Sequence, residues 1–356
     1  MSNIVLKGST SGDVTITVPA AAGTNTVTIP AATGNLPLSN LTHVTNRPNA
    51  KPFIINGNFA VAQRGTSADG TSAYLIDRWK KQAATTGNVA VSQDTDAPTG
   101  FINSQKILAS GASSFFQTGQ QIEYKNFYPL LGKAASLSFY YKSDVDVIIR
   151  IRTGTGTADT VVLFTGGVAS TATVSPSADW VQYVHNFSVA TNVTSLSIEF
   201  ATGTLANTDF VFLAGVQLEQ GTYDTTTIPP FQHESFGDSL QRCQRYFQNI
   251  EAARTNASGF GQVESSTVHI QLPLAVTPRI LAQYQGSGTF TKVGTIAVNA
   301  FPTNGDNITG VSFWVVMGNS VIVGMTTSGS TTNGAAEPVR YGSATPQTIF
   351  TLDTEL

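Results

Sequence analysis

The sequence predicts a mainly β protein in which two β-sandwich regions flank one α-helix, behind a short β segment at the amino terminus. Three observations carry this. Runs of strand length that alternate apolar and polar residues recur between Gly-, Asn- and Ser-rich turn clusters along most of the 356 residues. One stretch alone, Ser235 to Ile250, keeps a helical period. Charged residues make up 12% of the chain, about half of the ~25% of an ordinary soluble domain. A surface so sparse in charge suits a protein that buries much of itself in an assembly.

Residues 1–46 read as an attachment segment, not a domain. Asp13-Val-Thr-Ile-Thr-Val-Pro-Ala and Thr26-Val-Thr-Ile-Pro-Ala-Ala are near-repeats with strand alternation. Each stops at a proline, Pro19 or Pro30, that cannot join a central ladder. Gly23-Thr-Asn between them is turn material. Lys7 and Asp13 are the only charged residues before Arg47. Two short strands with almost no large apolar side chains hold no core in water. The segment therefore needs a partner surface, either other copies of the chain or a docking protein.

The next region, 47–233, carries the clearest strands: Ala135-Ser-Leu-Ser-Phe-Tyr-Tyr-Lys, Val145-Asp-Val-Ile-Ile-Arg-Ile-Arg, Thr160-Val-Val-Leu-Phe, Trp180-Val-Gln-Tyr-Val-His-Asn-Phe-Ser-Val and Ser195-Leu-Ser-Ile-Glu-Phe. No helical period interrupts them, so antiparallel sheets packed face to face are favoured over βαβ units. Leu137, Phe139 and Tyr141 share one strand face, while Ser138, Tyr140 and Lys142 share the other. Trp180 likewise alternates with Gln182 and Asn186. Sugars present apolar C–H faces, and rings flanked by amides and hydroxyls bind them. Tyr140 and Trp180 are therefore the candidate carbohydrate-binding residues, with core or interface packing as the plainer use of each ring.

Other chemistry is thin. Gly154-Thr-Gly156 lacks the third glycine and the helix of a dinucleotide loop, and reads as a hairpin turn. Asp144 with Asp146, and Asp94 with Asp96, have the spacing of a structural calcium site. Solvated surface acids have that spacing too, so no cofactor is expected. His43, His185, His233 and His269 fall in unrelated segments without ligand spacing. His185 alternates with Val181, Tyr183 and Phe187, as an interior or edge histidine does. No Ser-His-Asp order or nucleophile elbow stands out, so no enzyme is expected. Cys243 is the only cysteine, which leaves no disulfide framework. A net charge of −3 gives no footprint for nucleic acid. No apolar run approaches the ~20 residues of a membrane helix, and no secretory leader opens the chain.

The linking helix is expected over 234–250. Ser235 and Asp238 form a capping-box pattern at its start. Phe236, Leu240, Cys243, Phe247 and Ile250 then recur at steps of four, three, four and three, on one stripe. The stripe fits two heptads at the axis of a trimer. It fits equally an amphipathic helix lying on its own domain, and the flanking Ser239, Gln244 and Tyr246 lack the charges of a zipper. Beyond it, 251–356 returns to strands at Thr267-Val-His-Ile-Gln-Leu-Pro, Gly288-Thr-Phe-Thr-Lys-Val, Val311-Ser-Phe-Trp-Val-Val-Met and Ser320-Val-Ile-Val-Gly-Met. Loops such as Thr303-Asn-Gly-Asp-Asn separate them. This region is expected to be a smaller β-sandwich.

Several motifs are specific beyond these patterns. Gly8-Ser-Thr-Ser-Gly with the paired Val-Thr-Ile segments resembles the attachment segment of tailed-bacteriophage structural and tail-fibre proteins. Asn56-Gly-Asn-Phe-Ala-Val-Ala-Gln-Arg-Gly-Thr-Ser and Tyr74-Leu-Ile-Asp-Arg-Trp resemble the opening of the jelly-roll, carbohydrate-binding-module-like domain of phage tail fibres and adhesins. Phe210-Val-Phe-Leu-Ala-Gly-Val-Gln-Leu-Glu-Gln-Gly is similar to its close, and leads to Leu240-Gln-Arg-Cys-Gln-Arg-Tyr-Phe as in such fibres. The resemblance implies a jelly roll over 47–233 and a homotrimeric virion protein, a tail fibre or adhesin made in the host cytoplasm. It would dock on other tail or baseplate proteins through its amino terminus, contact host-surface polysaccharide, and carry a receptor-binding tip at 251–356. A non-adhesive baseplate, neck or head-decoration protein is the runner-up, and a polysaccharide depolymerase a third reading. No family binding residues carry over. Within the opening motif, Asp77 is expected to pair with Arg64 or Arg78 and so fix the loop, with Trp79 filling the core.

Overall fold

Alternating side chains put every second residue on one face of a strand, so an alternating chain is stable only where such faces meet. The computed structural model describes residues 3–7, 13–17, 51–65, 67–68, 72–85, 87–252, 257–264, 267–279, 289–292, 296–299, 305–317, 320–327, 336–341 and 347–355. The chain divides into two units, 1–44 and 45–356.

In the first unit, β1 (Asn3–Lys7) pairs antiparallel with β2 (Asp13–Thr17), Ile4 lying opposite Ile16. The alternation of Asp13–Thr17 is thus a strand, and its partner is the preceding segment. The second near-repeat from Thr26, with Pro19, Pro30, Gly23 and His43, lies outside the described residues.

The second unit opens with β3 (Ser67–Ala68), β4 (Ser72–Tyr74), β5 (Lys80–Ala83), β6 (Val89–Asp94), β7 (Ser104–Ala109) and β8 (Phe116–Ile122). A one-turn helix, α1 (Tyr124–Phe127), and a 3-10 turn at Tyr128–Leu130 follow. Then come β9 (Ala134–Ser143), β10 (Val147–Gly154), β11 (Gly167–Val174), β12 (Ser177–Ser188), β13 (Ser195–Thr202) and β14 (Phe210–Gln220). They form two six-stranded sheets, ordered β11-β10-β13-β8-β5-β4 and β12-β9-β14-β7-β6-β3. Every described pairing in them is antiparallel. Their inner faces share one core, in which Leu137 and Phe139 of β9 are buried with Ile149 of β10 and Phe200 of β13. The Phe139 and Phe200 rings meet edge to face at 4.7 Å. This is the β-sandwich the sequence predicts.

One predicted strand is not a strand. Thr160-Val-Val-Leu-Phe is a loop laid on the outer face of the first sheet, with Val162 and Leu163 buried. Its backbone is satisfied by side chains instead of a ladder. Val162 N donates to Gln121 Oε1 at 3.0 Å and Phe164 N to Glu199 Oε1 at 2.5 Å. Arg152 pairs with the same fully buried Glu199 at 2.7 Å. Gly119 leaves the room, since a Cβ there would stand 2.9 Å from Leu163 Cδ1. Part of an apolar run is therefore buried without pairing.

The helix is shorter than its apolar stripe. α2 spans Phe236–Gln244, nine residues, and Ser235 Oγ accepts from Asp238 N as the capping pattern predicts. Tyr246 N closes the end on Cys243 O at 2.9 Å. Phe247 and Ile250 then stand on a strand, β15 (Phe247–Ala252), so the expected helix over 234–250 is corrected to its first half. Phe247 and Ile250 stand three apart, a helical step that a strand splits between its two faces, and pairing with β23 (Gln347–Asp353) overrides it. Of the stripe, Phe236 is 61% exposed, while Cys243 packs in its own chain against Ile55, Val61, Tyr246 and the half-buried Leu240. Cys243 and the buried Phe247 are thus used inside one chain, and the continuous two-heptad stripe does not form.

The remaining strands are β16 (Ala257–Glu264), β17 (Thr267–Pro273), β18 (Thr289–Lys292), β19 (Ile296–Asn299), β20 (Gly305–Met317), β21 (Ser320–Thr327), β22 (Ala336–Tyr341) and β23 (Gln347–Asp353). β15, β23 and β18 make a three-stranded sheet. The other six close as a barrel, β16-β17-β21-β20-β19-β22, where a second sandwich was expected. Closure leaves no exposed edge. The thirteen-residue β20 shifts register twice against β21, the irregularity that lets a strand bend round a barrel. Residues 328–335 and Thr303-Asn lie outside the described residues. No helix among the described residues is long and apolar enough to cross a membrane.

Candidate functional site

Residues opposite each other in a ladder share a face. Tyr140 lies opposite Gln182 on one side and Ala214 on the other. Two residues along, Lys142 lies opposite Phe212, and Phe212 opposite Lys106. The intervening Phe139 and Tyr141 belong to the core, so this row looks outward from the second sheet. Trp180 sits on β12 where its register shifts between Ser177 and Val181. Its ring meets Phe212 at 6.1 Å, and the Lys142 ammonium stands 5.1 Å from the same Phe212 ring. Tyr140 and Trp180, singled out on separate strands, thus share one outward face and are both half-buried.

Polar groups surround the rings. Trp180 Nε1 donates to Asp96 Oδ1 at 3.0 Å, and Lys142 Nζ donates to Asp96 Oδ2 at 2.5 Å. The hydrogen bonds from Lys142 and Trp180 hold the Asp96 carboxyl below its usual range. Asp94 pairs with Lys106 at 3.4 Å, and Asp144 Oδ1 accepts from Phe210 N at 2.7 Å. Carboxylates considered for calcium therefore already serve lysines and backbone. Among the described residues no group of three His, Cys, Asp or Glu is placed to hold a metal. His185, on edge strand β12, stacks on Phe187 and shares a 2.9 Å hydrogen bond with Ser170, and burial lowers its pKa. It is the interior histidine its alternation predicts.

Beside this face stands an aromatic group that sequence reasoning passed over. β14 bulges after Ala214, and Gly215 there has φ +57°. A Cβ at Gly215 would lie 2.4 Å from Phe101 Cζ, so the ring rests on bare backbone. Phe101 N closes a turn on Pro98 O at 3.0 Å. The Phe101 ring meets Tyr140 at 5.5 Å, Phe231 at 5.1 Å and His233 at 5.1 Å. A cleft of about 110 Å³ opens here, lined in part by Asn58, Phe101, Ile102, Asn103 and His233. Gly215 lies in the closing motif, but nothing in the sequence ties it to Phe101.

The motif residues themselves build a buried joint. Asn56 Nδ2 donates to Val61 O and to Asp77 O, and Trp79 Nε1 donates to Asn56 O at 3.0 Å. Gly57 is obligatory, because a Cβ would stand 2.0 Å from Val216 O. Arg64 pairs with Asp77 at 3.1 Å, as expected, and reaches Asp353 at 3.1 Å and Glu355 at 3.4 Å. Arg78 pairs with Glu355 as well, and its guanidinium lies 3.5 Å from the centre of the Tyr246 ring. Arg64 lies 3.7 Å from that of Phe247. Burial pushes the Tyr246 hydroxyl up to about 12. The opening motif thus ties the sandwich to the end of the chain, where Thr354 N donates to Tyr246 O at 2.7 Å and Arg279 Nε to Thr354 O at 2.8 Å.

Burial also sets the charge of Asp77. Its side chain is fully buried, and loss of solvent raises its pKa from 3.8 to about 6, against the hydrogen bond from Gln63 N and the attraction of Arg64. The Glu355 charge adds to the rise. A carboxyl raised in the folded state favours the fold below its unfolded pKa, and that contribution is lost as pH rises through about 6. Wild type relative to Asp77→Asn is therefore expected to lose roughly 2–3 kcal/mol between pH 4 and pH 6. Urea unfolding of both proteins across that range checks it. A pH-independent difference contradicts it.

No protein-family model matches the chain, and no curated protein does. Among solved structures, the enzymatically active domain of bacteriophage CBA120 tailspike protein 4 is similar over 48% of this chain and 21% of its own, at 12% identity and a TM-score of 0.35. TmCBM61, in complex with β-1,4-galactotriose, is similar over 48% of this chain and 100% of its own, at 12% identity and a TM-score of 0.33. A CBM4 structure is similar over 47% of this chain and 98% of its own, at 17% identity and a TM-score of 0.32.

Proposed function

We propose that this chain is a glycan-binding structural protein of a bacteriophage virion, a homotrimeric tail fibre or adhesin that holds host-surface polysaccharide without cleaving it. One observation carries the binding part: Tyr140 and Trp180 share an outward sheet face with lysine, carboxylate and amide groups around them. Rings so placed offer a surface to the C–H face of a sugar, and the polar groups offer hydrogen bonds to its hydroxyls. The virion part rests on the three separated motifs and on the charge-poor amino-terminal segment, which would dock on tail or baseplate proteins.

A glycan array of bacterial surface oligosaccharides tests the reading. The full chain is expected to bind, and Tyr140→Ala with Trp180→Ala to bind about tenfold more weakly, each lost ring contact being worth ~1 kcal/mol. The double variant should melt as wild type does, since neither ring belongs to the core. An array without signal overturns glycan binding. Immunogold labelling of particles by an antibody to this chain separates tail from head, and labelled virions without array binding would favour the non-adhesive alternative.

A further inference from the structure

The cleft around Phe101 has features that the core and the joint do not account for. Phe101 is held in place from beneath by Gly215 and through its own turn, yet its ring remains partly exposed. Next to it Ile102 is 81% exposed, an apolar side chain spent on solvent at the lip of the cleft. Asn58 and Asn103 line the same space, and neither side chain has a hydrogen-bond partner among the described residues. Asn58 is the exception in its motif: Asn56 bonds the loop, Gly57 passes Val216 O, and Phe59 packs against Trp79 at 5.0 Å. Among the described residues no carboxylate, lysine or arginine lines the cleft. Asp96 and Lys142, on the adjoining face, neutralise each other.

We propose that this cleft is the primary subsite for one neutral pyranose unit, its C–H face on Phe101 and its hydroxyls on the amides of Asn58 and Asn103. The inference rests on the glycan-binding reading above and names the place and the charge class of the ligand. A fixed aromatic wall loses little entropy on binding, and two amides gain hydrogen bonds that no described residue supplies. A uronic or sialic acid would bring a carboxylate to a site where no lysine or arginine stands among the described lining residues. Phe231 and His233, packed on each other at 4.8 Å, both meet the Phe101 ring, and His233 also lines the cleft.

Saturation-transfer NMR on the full chain tests this, with maltotriose, cellotriose and β-1,4-galactotriose as neutral probes and trigalacturonic acid as the charged one. At least one neutral trisaccharide is expected to receive saturation, and trigalacturonic acid to receive little. Phe101→Ala and Ile102→Asp should each reduce the signal about tenfold or more, at an unchanged melting temperature. Ile102→Asp guards against loss of fold, because its side chain already stands in solvent. Val168→Asp, on the exposed edge of β11, should bind as wild type does. If Phe101→Ala and Ile102→Asp bind like wild type, the cleft is not the subsite, and a positive glycan array still leaves the functional reading intact. A stronger response from trigalacturonic acid, or none from any probe, also overturns the proposal.

Discussion

Glu355→Gln is expected to destabilise the unit 45–356 by roughly 3–5 kcal/mol, the usual penalty for stripping one partner from a buried ion pair. The Arg78 side chain is 1% exposed and its charge is met by Glu355, whose side chain is 4% exposed. Remaining contacts compensate poorly: Arg78 Nη2 donates to Gln121 O at 2.6 Å, and Nε is buried without a partner. The desolvated cation would then stand over Tyr246 beside Arg64 with one carboxylate fewer. Replacing both partners, as Arg78→Met with Glu355→Leu, removes the buried charges together and should recover most of the loss. Urea unfolding of Arg78→Met, Glu355→Leu and the double closes the cycle. A Glu355→Gln midpoint equal to wild type would mean the joint is held by backbone bonds alone.

Trp79→Ala is expected to be comparably severe, at roughly 3–5 kcal/mol. The indole is 1% exposed and packs on Phe59 at 5.0 Å and Phe200 at 6.2 Å, bridging the opening motif and the sandwich core. Truncation opens a cavity between groups that a sandwich holds apart, and takes from Asn56 O one of its two donors, leaving Phe59 N. Trp79→Phe keeps most of the volume and should lose less than half as much. Thermal melts of both variants decide. A Trp79→Ala change within about 0.5 kcal/mol, the range of surface substitutions, would contradict this account of the motif.

Much of the fold was legible because alternation is a local property. β9, β12 and β13 lie within a few residues of their predicted places. Thr160–Phe164 failed because Val162 and Leu163 are buried while Gln121 and Glu199 take backbone amides of the run, an arrangement no period records. The helix ended early because the helical step from Phe247 to Ile250 is overridden by pairing with β23, which pairs Phe247 with the distant Asp353. The motifs were legible as a set but not in purpose. Arg78 and Glu355 are 277 residues apart, and nothing near Glu355 marks it as a partner. Tyr140 and Trp180 could each be placed on a polar face from sequence, whereas their sharing a sheet required the register of β12 on β9. Phe101 carried no signal, since a lone aromatic in a loop looks like any other until Gly215 is found beneath it.

The central claim, binding without turnover, is tested most directly by one incubation. Purified full-length chain is mixed with surface polysaccharide from a susceptible host, and the mixture is followed by size-exclusion chromatography with light scattering. The account predicts that protein co-elutes with polymer, that the polymer keeps its length over time, and that Tyr140→Ala with Trp180→Ala reduces the co-elution. A polymer that shortens, with the shortening abolished by a single carboxylate substitution, would contradict it.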